Sequence, residues 1–417
     1  MRFNLFSQSD VPEKYRSNFR HLYLDIAWFG VLSGTSVSFL NVYATRLGAS
    51  GMQIGLLTAM AAVVNLFLAI PASRWIEKRH TGRAVFWSSV VFRAGYFLWI
   101  PLPWLLDAQG QIWALIILAF LMAIPLTPMG VGFNALFAES VPDRFRAQVA
   151  GTRNITFAIT YMMTSFGAGF ILKSMPLEPG YQVIFAIGAF GAAMSSFHLF
   201  HLKPMQEANF PLPASPQPEV TPVGKAPQGI KAALRLDIWS TPFRNVLIAL
   251  FCLHLTQYLP APVFPLFNVH ILHLNDSNIG TGTALYYFAA LIGSTQFRRI
   301  AQRYGNKKVT GWGAVGMFAY PFLLAFTKVV WQFYAISLIG GVVFAMVNGA
   351  FINYMLEKIP PNDRPSHLAW YAIVLNVAIL AASFAGPAIA ESAGLVYALI
   401  IIAILRFLSG IVILKWG

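Results

Sequence analysis

Asp25, Arg93, Arg153 and Arg406 are charged side chains lying well inside long apolar runs of this chain. A charge at the centre of a bilayer costs roughly 2.5–3.5 kcal/mol on insertion scales, so each needs a partner or a purpose. Asp25 is open to two readings, a fixed ion pair with Arg153 or Arg146 and a carboxylate that takes up and releases a proton. Glu139 and His254 are the other groups suited to proton exchange. A second polar cluster, His254, Gln257 and Tyr258, stands just ahead of Pro260, Pro262 and Pro265. The spacing of His254 and Gln257 puts both on one helix face. The prolines interrupt the amide ladder, and broken helices are tolerated in a bilayer chiefly where they line a cavity or move. Such a cluster either binds a solute or is a buried histidine satisfied by its neighbours. Asn41, Asn134, Asn348 and Asn376 add amides that either meet a ligand or bridge helices.

Enzymatic and metal chemistry find no footing here. There is no zinc-ligand spacing, no H-E-x-x-H, no G-x-S-x-G and no phosphate-cradling G-x-x-x-x-G-K-[ST]. No cofactor is expected, and without a nucleotide site any work done by the chain must be driven by a gradient. The single cysteine, Cys252, forms no internal disulfide and reads as packing.

The elements that must hold these groups are apolar runs near 20–45, 51–74, 84–106, 111–138, 146–174, 180–202, 243–272, 278–298, 308–327, 330–356, 366–389 and 394–415. Each reaches about 20 residues, enough as a helix to cross roughly 30 Å of hydrocarbon. Only 11% of residues are charged against 57% hydrophobic, a balance that a soluble domain does not show. Backbone amides in lipid must be satisfied within their own segment and no period-2 alternation is present, so the class is an all-α membrane protein of twelve helices, numbered 1 to 12 in that order. Residues 1–20 are polar and the first run is too long for a cleavable signal, so helix 1 is expected to stay as an anchor.

Net charge is +14, but its distribution points away from nucleic acid as a partner. Arg74, Lys78, Arg79 and Arg83 follow helix 2, Arg144 and Arg146 follow helix 4, and Arg298, Arg299, Arg303, Lys307 and Lys308 follow helix 8. The alternate loops hold chiefly Arg46, Lys173 and Lys328. The positive-inside rule puts both termini in the cytoplasm, with membrane lipids as the partners of the basic loops. Residues 204–240, with six prolines between Pro211 and Pro227, read as a cytoplasmic linker between a six-helix bundle at 1–203 and another at 241–417. Around Gly229 to Trp239 it has the pattern of a short helix lying on the membrane surface.

The two bundles repeat one design. Leu47, Ser50 and Gly55 recur in the spacing of Leu274, Ser277 and Gly282, and Phe133, Glu139, Pro142 and Arg146 in that of Phe351, Glu357, Pro360 and Arg364. Two parallel repeats related by an axis along the membrane normal are implied. The loop Ser73-Arg74-Trp75-Ile76-Glu77-Lys78-Arg79-His80-Thr81-Gly82-Arg83 and its counterpart Gln302-Arg303-Tyr304-Gly305-Asn306-Lys307-Lys308 resemble the signature loop of the major facilitator superfamily of secondary transporters. The Leu47-Gly48-Ala49-Ser50 turn and the run from Glu139 to Arg146 are similar to that superfamily as well.

The resemblance implies alternating access: two halves rock about a midplane site that opens to one side and then the other. It implies a latch on the cytoplasmic side built from Glu77, Lys78, Gly82, Arg83, Arg146, Arg303 and Gly305. It also implies that helices 1, 4, 7 and 10 line the cavity, flanked by 2, 5, 8 and 11. Asp25 and Glu139 are then the expected proton-coupling groups, and Asn41, Asn134, Arg153, His254, Gln257, Tyr258 and Asn348 the expected substrate contacts. Arg93 and Arg406, on outer helices, are expected to snorkel, to bind lipid or to pair structurally. The expected function is proton-coupled movement of a small organic solute across a bacterial or archaeal cytoplasmic membrane by a monomer. Uncoupled facilitation, drug efflux and a non-transporting sensor of the same fold are the alternatives.

Overall fold

The computed structural model describes residues 13–203, 235–360 and 363–417. The prolines of the linker and most of its surface-helix segment lie outside the described residues. Each apolar run folds as a helix or an interrupted helix, and no strand occurs among the described residues. Uninterrupted helices are Gly51–Glu77 (helix 2), Ala108–Ser140 (4), Asp143–Ser174 (5), Leu177–Phe200 (6), Asp276–Tyr304 (8), Val330–Lys358 (10), Arg364–Ala393 (11) and Leu395–Trp416 (12). Helix 1 runs over 13–46 with a π turn at Ser33–Val37; helices 3 (81–105), 7 (Phe243–Ile271) and 9 (306–325) are broken. Among the described residues, nine helices are long and apolar enough to cross a membrane by length and composition. Helices 3 and 9 miss that measure because their breaks leave pieces of 14 and 11 residues, and helix 8 because its charge-free stretch is diluted by glycine, threonine, serine and tyrosine.

Local chemistry sets the boundaries. Ser50 and Gln53 form a reciprocal capping box at the start of helix 2, Asp107 accepts from the Gly110 amide at helix 4, and Asn275 accepts from the Asn278 amide at helix 8. Ser277, matched to Ser50 by sequence spacing, is therefore inside helix 8, and Asn275 does the capping. The other repeat pair holds its geometry. Glu139 accepts from the Thr81 hydroxyl at 3.0 Å and Glu357 from the Asn306 amide at 2.6 Å, each tying the end of one helix to the start of another in its own half.

Among the described residues, most buried apolar side chains fall into three clusters whose distribution gives the molecule its shape. One runs through both halves at the face opposite the termini, where Leu32, Phe39 and Tyr43 meet Leu259, Val263, Phe267 and Ala382. Near the face carrying the termini the core divides: Phe19, Leu22, Leu136 and Val149 serve the N-terminal half, and Phe243, Leu247, Val347 and Tyr354 the C-terminal half. The halves thus share a core at one face and hold separate cores at the other. On the terminal face Arg235 clasps Asp237 at 3.0 Å and Asp363 at 2.8 Å, fixing the start of the C-terminal half to helix 11. Hydrogen bonds from Arg235 lower the Asp237 carboxyl below its ordinary range. At Asp363 burial works the other way, and the bonds from Ser366 and Arg235 outweigh it.

Candidate functional site

Proline arithmetic explains the most informative side chain. In a helix the carbonyl of residue i accepts from the amide of residue i+4, and proline has no amide hydrogen. Pro260 therefore leaves the Thr256 carbonyl without a donor, and Pro321 does the same to Met317. The Gln257 carbonyl loses its donor too, since the Ala261 amide turns to Tyr258 instead. Arg406 of helix 12 supplies all three: Nε donates to Thr256 at 3.0 Å, Nη1 to Met317 at 3.2 Å and Nη2 to Gln257 at 3.1 Å. One guanidinium replaces amides missing from the breaks of helices 7 and 9.

Those three bonds leave two of the five guanidinium hydrogens free. The group lines a cavity of about 450 Å³ with Gln257 and Tyr258 of helix 7, Tyr286 of helix 8, Tyr320 of helix 9 and Asn348 of helix 10. Gly340 makes room for the Tyr320 ring, since a Cβ there would stand 2.4 Å from it. No carboxylate pairs with Arg406 among the described residues; its charged-capable neighbours are the phenols of Tyr286 and Tyr320. Arg406 is 6% exposed, so the expectation that it snorkels outside the pocket is corrected. The broken helices turn their free carbonyls inward, and a donor had to be buried with them. Asn41 and Asn268 border a neighbouring chamber of about 230 Å³ that shares Ala261, Phe264, Tyr286 and Tyr320 with the first.

Of the substrate contacts expected from sequence, the structure brings Gln257, Tyr258 and Asn348 together on this cavity. His254 is not in its wall. The ring is buried against Phe351, and Nε2 lies 3.1 Å from the Tyr371 hydroxyl. Asn134 is exposed on helix 4. Arg406, Tyr286 and Tyr320 are additions that sequence reasoning missed, although the residues four before Pro260 and Pro321 were available as a signal.

The N-terminal half buries a charge network. Asp25 Oδ2 is 3.1 Å from Arg153 Nη1, and Oδ1 is 3.8 Å from Arg93 Nη2 and accepts from Ser195 at 2.5 Å. Arg93 also donates to Ser89 and Ser196, and Arg153 to the Leu22 carbonyl. Two guanidiniums of helices 3 and 5 thus share one carboxylate of helix 1. Arg153 is committed to this network in the present conformation, so its expected role as a substrate contact is not met here. Arg146 takes no part: it pairs with Asp143 at 2.7 Å and donates to the Ala138 and Val141 carbonyls at the end of helix 4. Glu139 sits exposed on the terminal face, accepting from the Thr81 hydroxyl, and takes no part in the Asp25 network.

The latch expected at the basic loops is not engaged. Glu77, Lys78 and Arg83 are exposed without a partner among the described residues, Gly82 adjoins His80, Arg303 lies over Tyr304, and Gly305 ends helix 8 at φ +81°. The physical reason is the split core: among the described residues the halves share their apolar core at the opposite face and pack along helices 5 and 8, while the basic loops of the two halves stay apart. There Arg46 of helix 1 donates to Asp276 at 3.1 Å and to the Leu274 carbonyl at 2.5 Å across the halves. Helices 5 and 8 cross so closely that a Cβ on Gly169 would stand 2.9 Å from the Asp276 carbonyl, and Tyr161 stacks on Tyr287 at 4.0 Å. Asp276→Asn is expected to weaken this seal by one charge-assisted contact of about 1.5–3 kcal/mol, a roughly ten- to hundredfold shift in the open population. Distances between spin labels on helices 2 and 11 at that face will lengthen; an unchanged distribution would leave the pair as a surface contact.

The Major Facilitator Superfamily profile matches residues 26–253 and again 246–417. A cis,cis-muconate transport protein of Acinetobacter baylyi is 22% identical over 309 residues, 71% of this chain and 70% of that protein. The nucleoside transporter NupG has a similar structure at TM-score 0.69 and 13% identity, over 96% of this chain and 99% of that one. The xylose transporter XylE of E. coli, in a partially occluded inward-open conformation, is similar at TM-score 0.68 and 16% identity, over 97% and 98%.

Proposed function

This chain belongs to the Major Facilitator Superfamily, a family of membrane transporters, and from that premise we propose that its cargo is a small organic anion. One observation carries the reading: a buried guanidinium with two free donors and no carboxylate partner faces a cavity large enough for a metabolite. A buried charge is stable only when it is paired, and a carboxylate arriving in the cavity completes Arg406 with the two parallel bonds that suit a planar fork. Gln257, Asn348 and the Tyr286 and Tyr320 hydroxyls offer further donors, and the aromatic walls fit an unsaturated or cyclic skeleton. The Acinetobacter relative carries a dicarboxylate by its name, which favours the same class.

The two halves rock about this site, with the basic face toward the cytoplasm and the Arg46–Asp276 seam closing the outer side. The shared core opposite the termini corresponds to an inward-open state. Anion import against a membrane potential of 100 mV, negative inside, costs about 2.3 kcal/mol per charge, so uptake needs a co-moving cation. We assign that role to protons, with Asp25 available only in a state where Arg153 lets it go and His254 the titratable group one turn from Gln257.

Reconstituted protein is expected to accumulate cis,cis-muconate or an aromatic monocarboxylate when an inward proton gradient is imposed, and to ignore uncharged nucleosides and xylose. Transport of the neutral solutes with no movement of either acid would sink the anion reading.

A further inference from the structure

We propose that the membrane-facing cleft between helices 3 and 6 is a specific site for an anionic phospholipid of the leaflet on the terminal side. Two cavities lie end to end along it, one of about 570 Å³ lined by Val90, Ala94, Phe97, Ala193 and Phe197, the other of about 420 Å³ lined by His80, Gly82, Arg83, Trp87 and Leu202. They meet at Phe86 and Phe200, whose rings are 5.0 Å apart and border both. The deeper chamber is apolar and flanked by outward-facing aromatics, with Phe97 47% and Phe197 50% exposed, which suits acyl chains. The shallower chamber lies at the start of helix 3, at the level where the basic loops meet the headgroups.

Charge decides the headgroup. Arg83 and His80 are exposed and carry no partner among the described residues, and the helix 3 terminus behind them has no side-chain cap. A phosphate there meets a guanidinium and free backbone amides together. A zwitterionic lipid would bring its own cation into a basic corner, whereas a net negative one does not. The floor of the deep chamber includes Arg93, the residue that braces Asp25, so occupancy packs against the charge network of the N-terminal half.

The test uses the full purified chain in detergent with phosphatidylglycerol, phosphatidylcholine of the same chains, or glycerol 3-phosphate, read by intact-complex mass spectrometry and by unfolding temperature. Phosphatidylglycerol should be retained and should stabilise; phosphatidylcholine should do so several-fold less and the chainless headgroup not at all. Arg83→Gln should reduce phosphatidylglycerol retention about fivefold, the worth of one basic residue at an anionic surface. Ala193→Trp, which fills the acyl chamber from an exposed position, should abolish retention of both lipids, while Lys308→Gln on the other half should change nothing. Equal retention of the two lipids, indifference to Arg83→Gln or to Ala193→Trp, or an equal loss with Lys308→Gln would overturn the proposal.

Discussion

Asp25→Asn is expected to lose most of the folded protein. The substitution leaves Arg93 and Arg153, which are 3% and 8% exposed, facing each other across a neutral amide. Breaking a buried ion pair from one side costs about 3–5 kcal/mol, and here two cations are stranded at once. Yield by fluorescence-detection size exclusion and the unfolding temperature will report it. Asp25→Asn combined with Arg153→Met removes one stranded charge and should recover much of the loss, the signature of a pair rather than of a damaged helix. A single mutant that folds normally, loses gradient-driven accumulation and keeps substrate exchange would instead mark Asp25 as the coupling group.

Arg406→Met should have the largest effect on cargo recognition. Truncating one side of a buried, hydrogen-bonded charge pair costs about 2–5 kcal/mol, which corresponds to a loss of roughly thirty- to several thousandfold in affinity for a carboxylate. The same change strips donors from the carbonyls of Thr256, Gln257 and Met317, so the unfolding temperature should fall as well. Arg406→Lys separates the two roles. It keeps the charge, presents a single point donor and cannot span three carbonyls, so it should retain part of the anion affinity while failing to restore stability. Undiminished binding of the anion by Arg406→Met would remove Arg406 from the site and leave it a helix brace.

The two variants also separate the halves of the molecule. The N-terminal half neutralises its buried carboxylate internally, with an excess of one guanidinium held by Ser89 and Ser196. The C-terminal half leaves its buried cation open to a cavity. Under the proposed function the N-terminal half serves as the platform and the C-terminal half takes the anion, and the Arg46–Asp276 pair ties the two together.

Much of this architecture follows from the sequence by itself, and the reason is the solvent. Hydrocarbon supplies no hydrogen bonds, so long apolar segments have only the helix available, and the all-helical class and its internal repeat could be read directly. The basic loops and the Glu139–Arg146 and Glu357–Arg364 spacing carried the resemblance to the superfamily for the same reason: these are local patterns tied to helix ends. The cavity-lining groups were legible only where their own helix was enough to mark them, as with Gln257 and Tyr258 beside the prolines. Tertiary structure alone decided the rest. Which guanidinium meets Asp25 depends on how helices 1, 3, 5 and 6 pack, and sequence offered Arg146 as readily as Arg153. Pro260 and Pro321 announce that the carbonyls of Thr256 and Met317 will lack donors, but nothing local says that helix 12 will bring Arg406 to both. Arg46 and Asp276 lie 230 positions apart and become partners only because the halves close at one face. Backbone satisfaction is a local demand that the chain order records, whereas the pairing of buried charges is set by the packing of distant helices and appears only when they are assembled.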